Sequence, residues 1–272
     1  SGGIVLLSNN VENESQLIEY ANEIQGFSHK VPFFVAVDQE GGLVKRIYWD
    51  ETLSQIELNE SSLAEICSEY QKRDELLASL GINWNFGLVA DVTSDSSSFI
   101  FERTFGSDYF QTAEKIKKAD ECTSKTLTTL KHYPGHGATN LDTHLGLADI
   151  TKSEEFWENE DAIPFVENLG ADSIMIGHLV LEWLDSENPA SLSTKVQDHL
   201  GNELNYQGLI VSDDLFMLES AGYSTQEIIE QALQTEINVF LYSYNTNSAN
   251  EILNYAIEAV RSGKITEAVS YT

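Results

Sequence analysis

The sequence predicts an α/β fold, a (β/α)8 barrel of the triosephosphate isomerase (TIM) type, on three observations. Short apolar segments alternate with longer amphipathic segments along all 272 residues, which is the order of a barrel built from strand–helix units. The predicted strands are apolar without strict alternation, as expected for parallel strands that are covered on both faces. No linker or low-complexity segment interrupts them, so residues 1–272 are predicted to form a single barrel domain.

Each predicted element has its own local signal. Short apolar and β-branched runs predict strands at residues 2–8, 31–37, 82–87, 126–131, 172–177, 208–212 and 237–242. Amphipathic stretches predict helices at residues 13–25, 61–81, 108–125, 153–170, 193–204, 225–235 and 247–263. Gly81 is typical of a helix end, and Pro164 predicts a break within the fourth helix.

The number of strands leaves the closure of the barrel open. The pattern contains about seven strand–helix units, whereas a closed barrel has about eight. Either the first strand lies before Ser1, outside the sequence as given, or the barrel is incomplete. A doubly wound open sheet is the alternative, but it would be expected to carry a glycine-rich phosphate-binding turn, and neither GxGxxG nor GxxxxGKS occurs.

Composition excludes several classes of function. The formal net charge is −29, and a surface of this charge repels nucleic-acid phosphates and anionic membranes. Hydrophobic residues make up 42% of the chain, which is enough for a core, but no apolar run has the length of a membrane span. We therefore expect neither a nucleic-acid partner nor a membrane-spanning segment.

The cysteines and the N-terminus bear on location. Cys67 and Cys122 form no CxxC pair and no zinc-binding spacing, so two ordinary thiols in helices are predicted. We see no signal peptide. We therefore expect a cytoplasmic monomer, with a secreted or lipid-anchored form as the alternative if an N-terminal segment is missing from the sequence.

Titratable residues follow five of the seven predicted strands. In a parallel barrel the active site lies at the carboxyl ends of the strands. Each of these residues alone could be a helix cap, but together they indicate a functional edge. They are Asp38, Asp91, His132, His178 and the pair Asp213 and Asp214.

The loop "KHYPGHGATNLDTHLGL" at residues 131–147 has three interpretations. As a metal site it offers His132, His136, Asp142 and His144, but Pro134 and the glycines exclude the helix that an HxxxH site needs. As a purely structural loop, its histidines would donate hydrogen bonds to the backbone, which suits His136 between two glycines. As a catalytic loop, Asp142 and His144 lie on one side of an extended segment, where a carboxylate fixes the tautomer of an imidazole that exchanges protons near neutral pH.

A proton-transferring dyad needs a partner in the reaction. No GxSxG nucleophile motif occurs, which argues against an α/β-hydrolase. Asp213 is the candidate nucleophile or ion stabiliser, although spacing alone does not choose it over Asp214. One carboxylate attacking a sugar carbon while a second group handles the leaving-group proton is the logic of retaining glycoside hydrolysis, with the His–Asp pair replacing the usual second carboxyl group.

Three segments resemble glycoside hydrolase family 3, in its single-domain bacterial β-N-acetylglucosaminidase branch. They are the loop at 131–147, "VAVDQEGGLVKRI" at 35–47 and "GLIVSDDLFM" at 208–217, and "FERTFGSD" at 101–108 and "SIMIGHLV" at 173–180 fit in order. The similarity runs over residues 2–266. It implies a TIM barrel with no metal and no cofactor.

The resemblance also implies roles for individual residues. Asp213 is similar to the nucleophile that forms the glycosyl-enzyme, and His144 with Asp142 resembles the general acid/base dyad. The substrate-binding residues implied by the resemblance are Asp38, Arg46, Arg103, Lys131, His132, His178 and Met217. Lys131 and His132 would bind sugar hydroxyls, Asp38 the hydroxyls at the far end of the sugar, and Arg103 the region of the N-acetyl group.

These roles predict a retaining exo-glycosidase that removes terminal β-linked N-acetylglucosamine, acting on a small saccharide or muropeptide from peptidoglycan. Two-domain relatives that cleave glucosides usually take their acid from a later domain, whereas the DTH segment supplies one here. The alternatives are a family 3 phosphorylase or β-glucosidase and, from another class, an inactive sugar-binding barrel.

Overall fold

The computed structural model describes residues 2–28, 30–138, 147–243 and 246–263. Within these residues, strands and α-helices alternate along the chain, and a short π-helix, His199–Glu203, follows the sixth helix. The elements are β1 (Gly3–Leu6), α1 (Glu14–Gly26), β2 (Phe34–Val37), α2 (Leu63–Ser79), β3 (Trp84–Val89), α3 (Tyr109–Glu121), β4 (Leu127–Tyr133), β5 (Ala148–Ile150), α4 (Glu154–Asn159), α5 (Ile163–Val166), β6 (Ser173–Ile176), β7 (Leu179–Leu181), α6 (Thr194–Asp198), β8 (Leu209–Ser212), α7 (Thr225–Ala232) and α8 (Thr246–Arg261).

Local sequence explains where several helices begin. Ser62 and Glu65 form a capping box at the start of α2, and Ser224 and Glu227 form another at the start of α7. In each box the serine hydroxyl accepts a hydrogen bond from the backbone of the glutamate, and the glutamate accepts one from the backbone of the serine. The backbone N–H groups left without helical partners are thereby satisfied at both helix starts.

The prediction of a closed (β/α)8 TIM barrel is wrong for the part of the chain that the structure describes. Its main sheet has six strands in the order β1-β2-β3-β4-β6-β8, and all neighbours are parallel. The result is an α/β half-barrel whose two outer strands, β1 and β8, do not pair with each other. The α/β class and the parallel direction of the strands agree with the prediction.

The seventh predicted strand, at 237–242, shows why the sheet does not extend further. This segment lies beside β8 but pairs with it as a strand only at Val211 and Val239. Side chains replace the next hydrogen bonds of the ladder, because Asn238 Oδ1 accepts from the backbone of Ile210 and Ser212 Oγ accepts from that of Leu241. Backbone groups that are satisfied by side chains cannot also form a regular β-ladder.

Two short strands lie outside the main sheet. β5 and β7 pair in parallel with each other, with Ala148 opposite Leu179 and Ile150 opposite Leu181. All four of these side chains are fully buried. The sequence analysis did not predict these strands, because three residues are too few to show a periodic pattern.

The inner face of the half-barrel is packed around Trp84. Its ring lies 4.7 Å from that of Phe34 and 5.1 Å from that of Phe86, centroid to centroid. Its indole N–H donates to Thr129 Oγ1 at 2.8 Å and to Ser173 Oγ at 3.1 Å. These contacts join β2, β3, β4 and β6 across the core, toward the amino ends of the strands, and hold the strands side by side.

Cys67 and Cys122 form a disulfide, so the prediction of two ordinary thiols is wrong. Cys67 lies in α2 and Cys122 directly follows α3, and their Cα atoms are 5.3 Å apart across a sequence separation of 55 residues. Because α2 and α3 pack side by side, the fold brings together two cysteines whose spacing matches no local motif.

Reduction of this disulfide is expected to lower the free energy of unfolding by about 2–4 kcal/mol, because the open chain gains entropy when it unfolds. Denaturant unfolding with and without a reductant measures the change. A Cys67→Ala/Cys122→Ala variant is the control and should show the lower stability with no response to reductant. Equal unfolding midpoints for the oxidised and reduced protein would contradict the expectation.

Candidate active site

One pocket lies at the carboxyl edge of the main sheet. Asp38 directly follows β2, Lys131 and His132 belong to the end of β4, and Asp213 directly follows β8. The pocket has a volume of about 650 Å³. These side chains line it together with Arg46, Arg103, Phe99, Phe216 and Met217. The parallel arrangement of the strands therefore gathers residues that are far apart in the sequence.

A buried network of ion pairs forms the floor of the site. Lys131 Nζ lies 2.6 Å from Glu40 Oε1 and 2.9 Å from Asp38 Oδ1. Arg103 holds the same glutamate through two hydrogen bonds, from Nε to Oε2 at 2.9 Å and from Nη2 to Oε1 at 2.8 Å. Arg46 Nη2 lies 3.5 Å from Asp38 Oδ2. Glu40 therefore contacts both Lys131 and Arg103, and Asp38 contacts both Lys131 and Arg46.

The charges of this network hold one another in the ionised form. Burial alone would raise the pKa of Glu40, but the charges of Lys131 and Arg103 outweigh burial and lower the pKa far below its usual range. Burial alone would lower the pKa of Lys131, but Asp38 and Glu40 raise it above its ordinary value. Glu40 and Lys131 are therefore both charged at neutral pH, and their ion pairs fix their positions before any ligand arrives.

Asp91 orients His132 from below the pocket. Its Oδ2 lies 2.7 Å from His132 Nδ1, and the backbone N–H groups of His132 and His136 also donate to this carboxylate. Since Arg103 Nη2 lies 3.2 Å from His132 Nε2 and can only donate, we assign the proton to Nδ1 and the lone pair to Nε2.

The structure distinguishes Asp213 from Asp214. Asp214 accepts hydrogen bonds from the backbone of Phe216 and of Ser243 and from the Ser243 hydroxyl, so it holds the turn after β8. Asp213 accepts only from the backbone of Asp214, at 2.8 Å, among the hydrogen bonds of the described residues. Burial would raise the pKa of Asp213, but His178, His132 and that backbone N–H lower the pKa to about 2. Asp213 is therefore the ionised carboxylate available to a ligand.

His178 lies behind the pocket rather than among the residues that line it. Its Nδ1 lies 2.7 Å from Ser191 Oγ and its Nε2 lies 2.9 Å from the backbone oxygen of Asp214. The side chain is buried. In this position His178 supports the turn that carries Asp213 and Asp214, whereas Met217 lines the pocket as the sequence indicated.

The loop after β4 is only partly described. His136 is buried, and its backbone donates to Asp91 Oδ1 at 2.6 Å. A side chain at Gly137 would put a Cβ 1.9 Å from the backbone oxygen of Val92, so only glycine fits there. The predicted dyad, Asp142 and His144, lies outside the described residues.

Seven predicted site residues therefore meet in one pocket. They are Asp38, Arg46, Arg103, Lys131, His132, Asp213 and Met217. Asp91 was predicted at the functional edge, but its role in orienting His132 was not, and Glu40 was not predicted at all. The available signal for Glu40 was its place two residues after Asp38, in the polar segment that follows β2. Within the part of the chain that the structure describes, no three His, Cys, Asp or Glu side chains are arranged to hold a metal ion.

Glu40→Gln is expected to lower the free energy of unfolding by about 3–5 kcal/mol, because Arg103 and Lys131 would stay buried with less opposing charge. Denaturant unfolding measures the change. Glu75→Gln is the matched control, since Glu75 pairs with Lys125 on the surface at 3.2 Å, and it should cost less than about 1 kcal/mol. Similar losses in both variants would contradict the role of Glu40.

His136 should make the protein less stable in acid. Burial lowers its pKa from 6.5 to about 4. Between these values the unfolded chain binds a proton that the folded chain does not, so stability falls as pH falls, by about 3 kcal/mol over this window. Urea unfolding across pH 4 to 7, compared with His136→Gln, measures this contribution. Parallel stability curves for the two proteins would disprove it.

Comparisons with known proteins agree with this geometry. A family model described as "Glycosyl hydrolase family 3 N terminal domain" matches residues 1–270. The chain is 32% identical to a beta-hexosaminidase of Nitrosomonas eutropha, covering 93% of this chain and 76% of that protein. It is 31% identical to beta-hexosaminidase A of Pseudoalteromonas piscicida, covering 79% of this chain but 41% of that protein.

A solved structure gives the same result. The glycoside hydrolase family 3 β-N-acetylglucosaminidase from a Paenibacillus species superposes with a TM-score of 0.93 at 27% identity. The match covers 98% of this chain and 54% of that one, so the chain spans about half the length of this relative. The family predicted from the motifs is thereby confirmed, and the chain belongs to glycosyl hydrolase family 3, the N-terminal domain of which it matches over residues 1–270.

Proposed function

We propose that residues 1–272 act as the catalytic domain of a retaining exo-glycosidase that removes terminal β-linked N-acetylglucosamine. The observation that carries this proposal is the ionised Asp213 at the wall of a pocket whose floor is a fixed network of charged donors and acceptors. The similarity to beta-hexosaminidases supports the choice of an acetamido sugar.

In the first step, Asp213 attacks the anomeric carbon of the terminal sugar. The bond from the anomeric carbon to the leaving oxygen breaks with its electron pair on that oxygen, and a glycosyl ester forms on Asp213. His144 protonates the leaving oxygen, and Asp142 holds the imidazole in the required tautomer. In the second step, water attacks the anomeric carbon from the side that the leaving group vacated, and His144 takes a proton from this water. The bond from the anomeric carbon to the Asp213 oxygen breaks with its electron pair on that oxygen, which restores the carboxylate.

The other side chains of the pocket orient the sugar. Asp38 can accept hydrogen bonds from two neighbouring hydroxyls, and Lys131 is held beside it as a donor. Arg103 is fixed by Glu40, so the donors it has left over are rigid and can bind the acetamido oxygen. Because these groups are already positioned by their ion pairs, little reorganisation is needed when the sugar binds.

The disulfide bears on where the domain works. Disulfides form and persist in oxidising environments and are rare in the cytosol. The Cys67–Cys122 bond therefore supports a location outside the reducing cytoplasm, in place of the cytoplasmic location that the sequence suggested. None of the helices in the described residues is long and apolar enough to cross a membrane.

The source of the substrate stays a prediction. Peptidoglycan fragments, which contain β-linked N-acetylglucosamine, are the source expected from the sequence. A monomer that works without a cofactor is likewise still a prediction.

The proposal is tested by the release of nitrophenol from the β-N-acetylglucosaminide and from the β-glucoside. We expect a clear preference for the acetamido sugar with no need for phosphate, and loss of turnover by about a thousandfold or more in Asp213→Ala, because no other group forms the ester. Asp214→Asn tests the choice between the two aspartates and should retain more activity. Release of the sugar 1-phosphate would indicate a phosphorylase, and binding without turnover would indicate a sugar-binding barrel.

His144→Ala tests the acid role within the same assay. Substrates with poor leaving groups need the proton, whereas nitrophenolate leaves without it. The variant should therefore slow the hydrolysis of a disaccharide far more than that of the nitrophenyl glycoside. Equal losses on both substrates would count against His144 as the acid.

A further inference from the structure

The charges that line the pocket lead to an inference about which saccharides it accepts. We infer that the pocket selects against sugar chains that carry a carboxylate beside the cleaved bond and prefers uncharged acetamido-sugar chains. The inference rests on the proposed function and specifies the substrate class.

Carboxylates outnumber cations around the pocket. Four carboxylates line the pocket, and Glu40 lies in its floor against Lys131 and Arg103. The lining carboxylates are Asp38, Asp213, Asp214 and Glu219. The lining cations are Arg46, Arg103 and Lys131. The described wall is therefore net negative before any substrate enters.

The cations of the pocket are already engaged by carboxylates of the protein. Lys131 is held between Asp38 and Glu40 at 2.9 and 2.6 Å, and Arg103 is bound by Glu40 through two hydrogen bonds. Arg46 is paired more loosely, at 3.5 Å, and it lies beside Asp38 at the β2 side of the pocket. Three strands separate β2 from β8, where Asp213 stands.

The side of the pocket around the nucleophile contributes carboxylates. Asp213 and Asp214 follow β8, and Glu219 lies in the turn after them. Glu219 Oε1 accepts hydrogen bonds from Tyr242 and Thr225, at 2.6 and 2.7 Å, neither of which neutralises its charge. The whole chain has a net charge of −29. An anionic leaving group would therefore enter a negative field.

This repulsion is electrostatic and should respond to salt. In a water-filled pocket, each charge about 10 Å from the substrate carboxylate changes kcat/KM by about twofold, so the net excess of two carboxylates predicts roughly a three- to fivefold effect. The Debye length falls from about 30 Å at 0.01 M to about 4 Å at 0.5 M salt. The discrimination should therefore largely disappear at high ionic strength.

The experiment compares two disaccharides that differ in one charge. Both join N-acetylglucosamine by a β-1,4 bond to N-acetylmuramic acid, one with its free lactyl carboxylate and one with the lactyl amide. At pH 7 and low salt we expect kcat/KM to be roughly three- to fivefold higher for the amide, falling to within about 1.5-fold at 0.5 M salt. Equal rates at low salt, faster cleavage of the carboxylate or a preference that salt does not change would overturn the inference.

Glu219→Gln tests the same inference from the protein side. The amide oxygen can still accept the hydrogen bonds from Tyr242 and Thr225, so only the charge is lost. The preference for the uncharged disaccharide should fall by about twofold at low salt. Glu155→Gln, which removes an exposed charge on α4 instead, is the matched control and should leave the preference unchanged. Equal shifts in both variants would show that net charge, not the pocket, is responsible, and would contradict the inference.

The nitrophenyl N-acetylglucosaminide separates this inference from the proposed function. Turnover of that substrate supports the function whatever the ratio of the two disaccharides. No turnover of any of the three substrates by the folded protein would reject the function itself. Turnover of the nitrophenyl glycoside with no cleavage of the uncharged disaccharide would reject the inference alone.

Discussion

The buried carboxylate of Glu40 is the constraint on which the site depends. Lys131 and Arg103 approach it from β4 and from the loop before α3, so this one side chain joins three parts of the chain. The attraction within a buried ion pair usually adds little to stability beyond offsetting the cost of removing its charges from water. Here the main effect of the ion pairs is to fix positions. Two cations contact the same carboxylate, and a third cation, Arg46, contacts Asp38, which itself contacts Lys131. The network keeps each donor at a fixed place in the pocket.

The half-barrel is sufficient to build this network. Asp38, Asp91 and Asp213 follow β2, β3 and β8, and Lys131 lies near the end of β4. All four strands belong to the six-stranded sheet. Trp84 holds the inner face together through Thr129 and Ser173, so the ends of these strands stay in register. A closed barrel would add neighbours to β1 and β8, but the geometry around Lys131 does not require them. The incorrect prediction of closure therefore did not affect the prediction of the site.

The sequence allowed the strand ends to be predicted because apolar runs and the polar residues after them are local signals. It could not reveal the disulfide, since Cys67 and Cys122 become neighbours only when α2 packs against α3. It could not show that 237–242 fails as a regular strand, because that outcome depends on hydrogen bonds that the side chains of Asn238 and Ser212 accept from the backbone of Ile210 and Leu241. Glu40 escaped notice for a similar reason, as its two partners come from distant segments.

The three aspartates of the site show how one residue type acquires separate tasks. Asp91 accepts hydrogen bonds from N–H groups of His132 and His136. Its carboxylate therefore fixes the tautomer of His132 and the backbone at His136. Asp214 accepts from the backbone N–H of Phe216 in its own turn and from that of Ser243, which follows the segment 237–242. Asp213 receives one such donor among the described residues, and that N–H together with neighbouring side chains lowers its pKa. A carboxylate that is ionised without being fully hydrogen-bonded keeps lone pairs for a ligand. The number of donors around each aspartate, rather than its position in the SDD segment, therefore supports the proposal that Asp213 is the nucleophile.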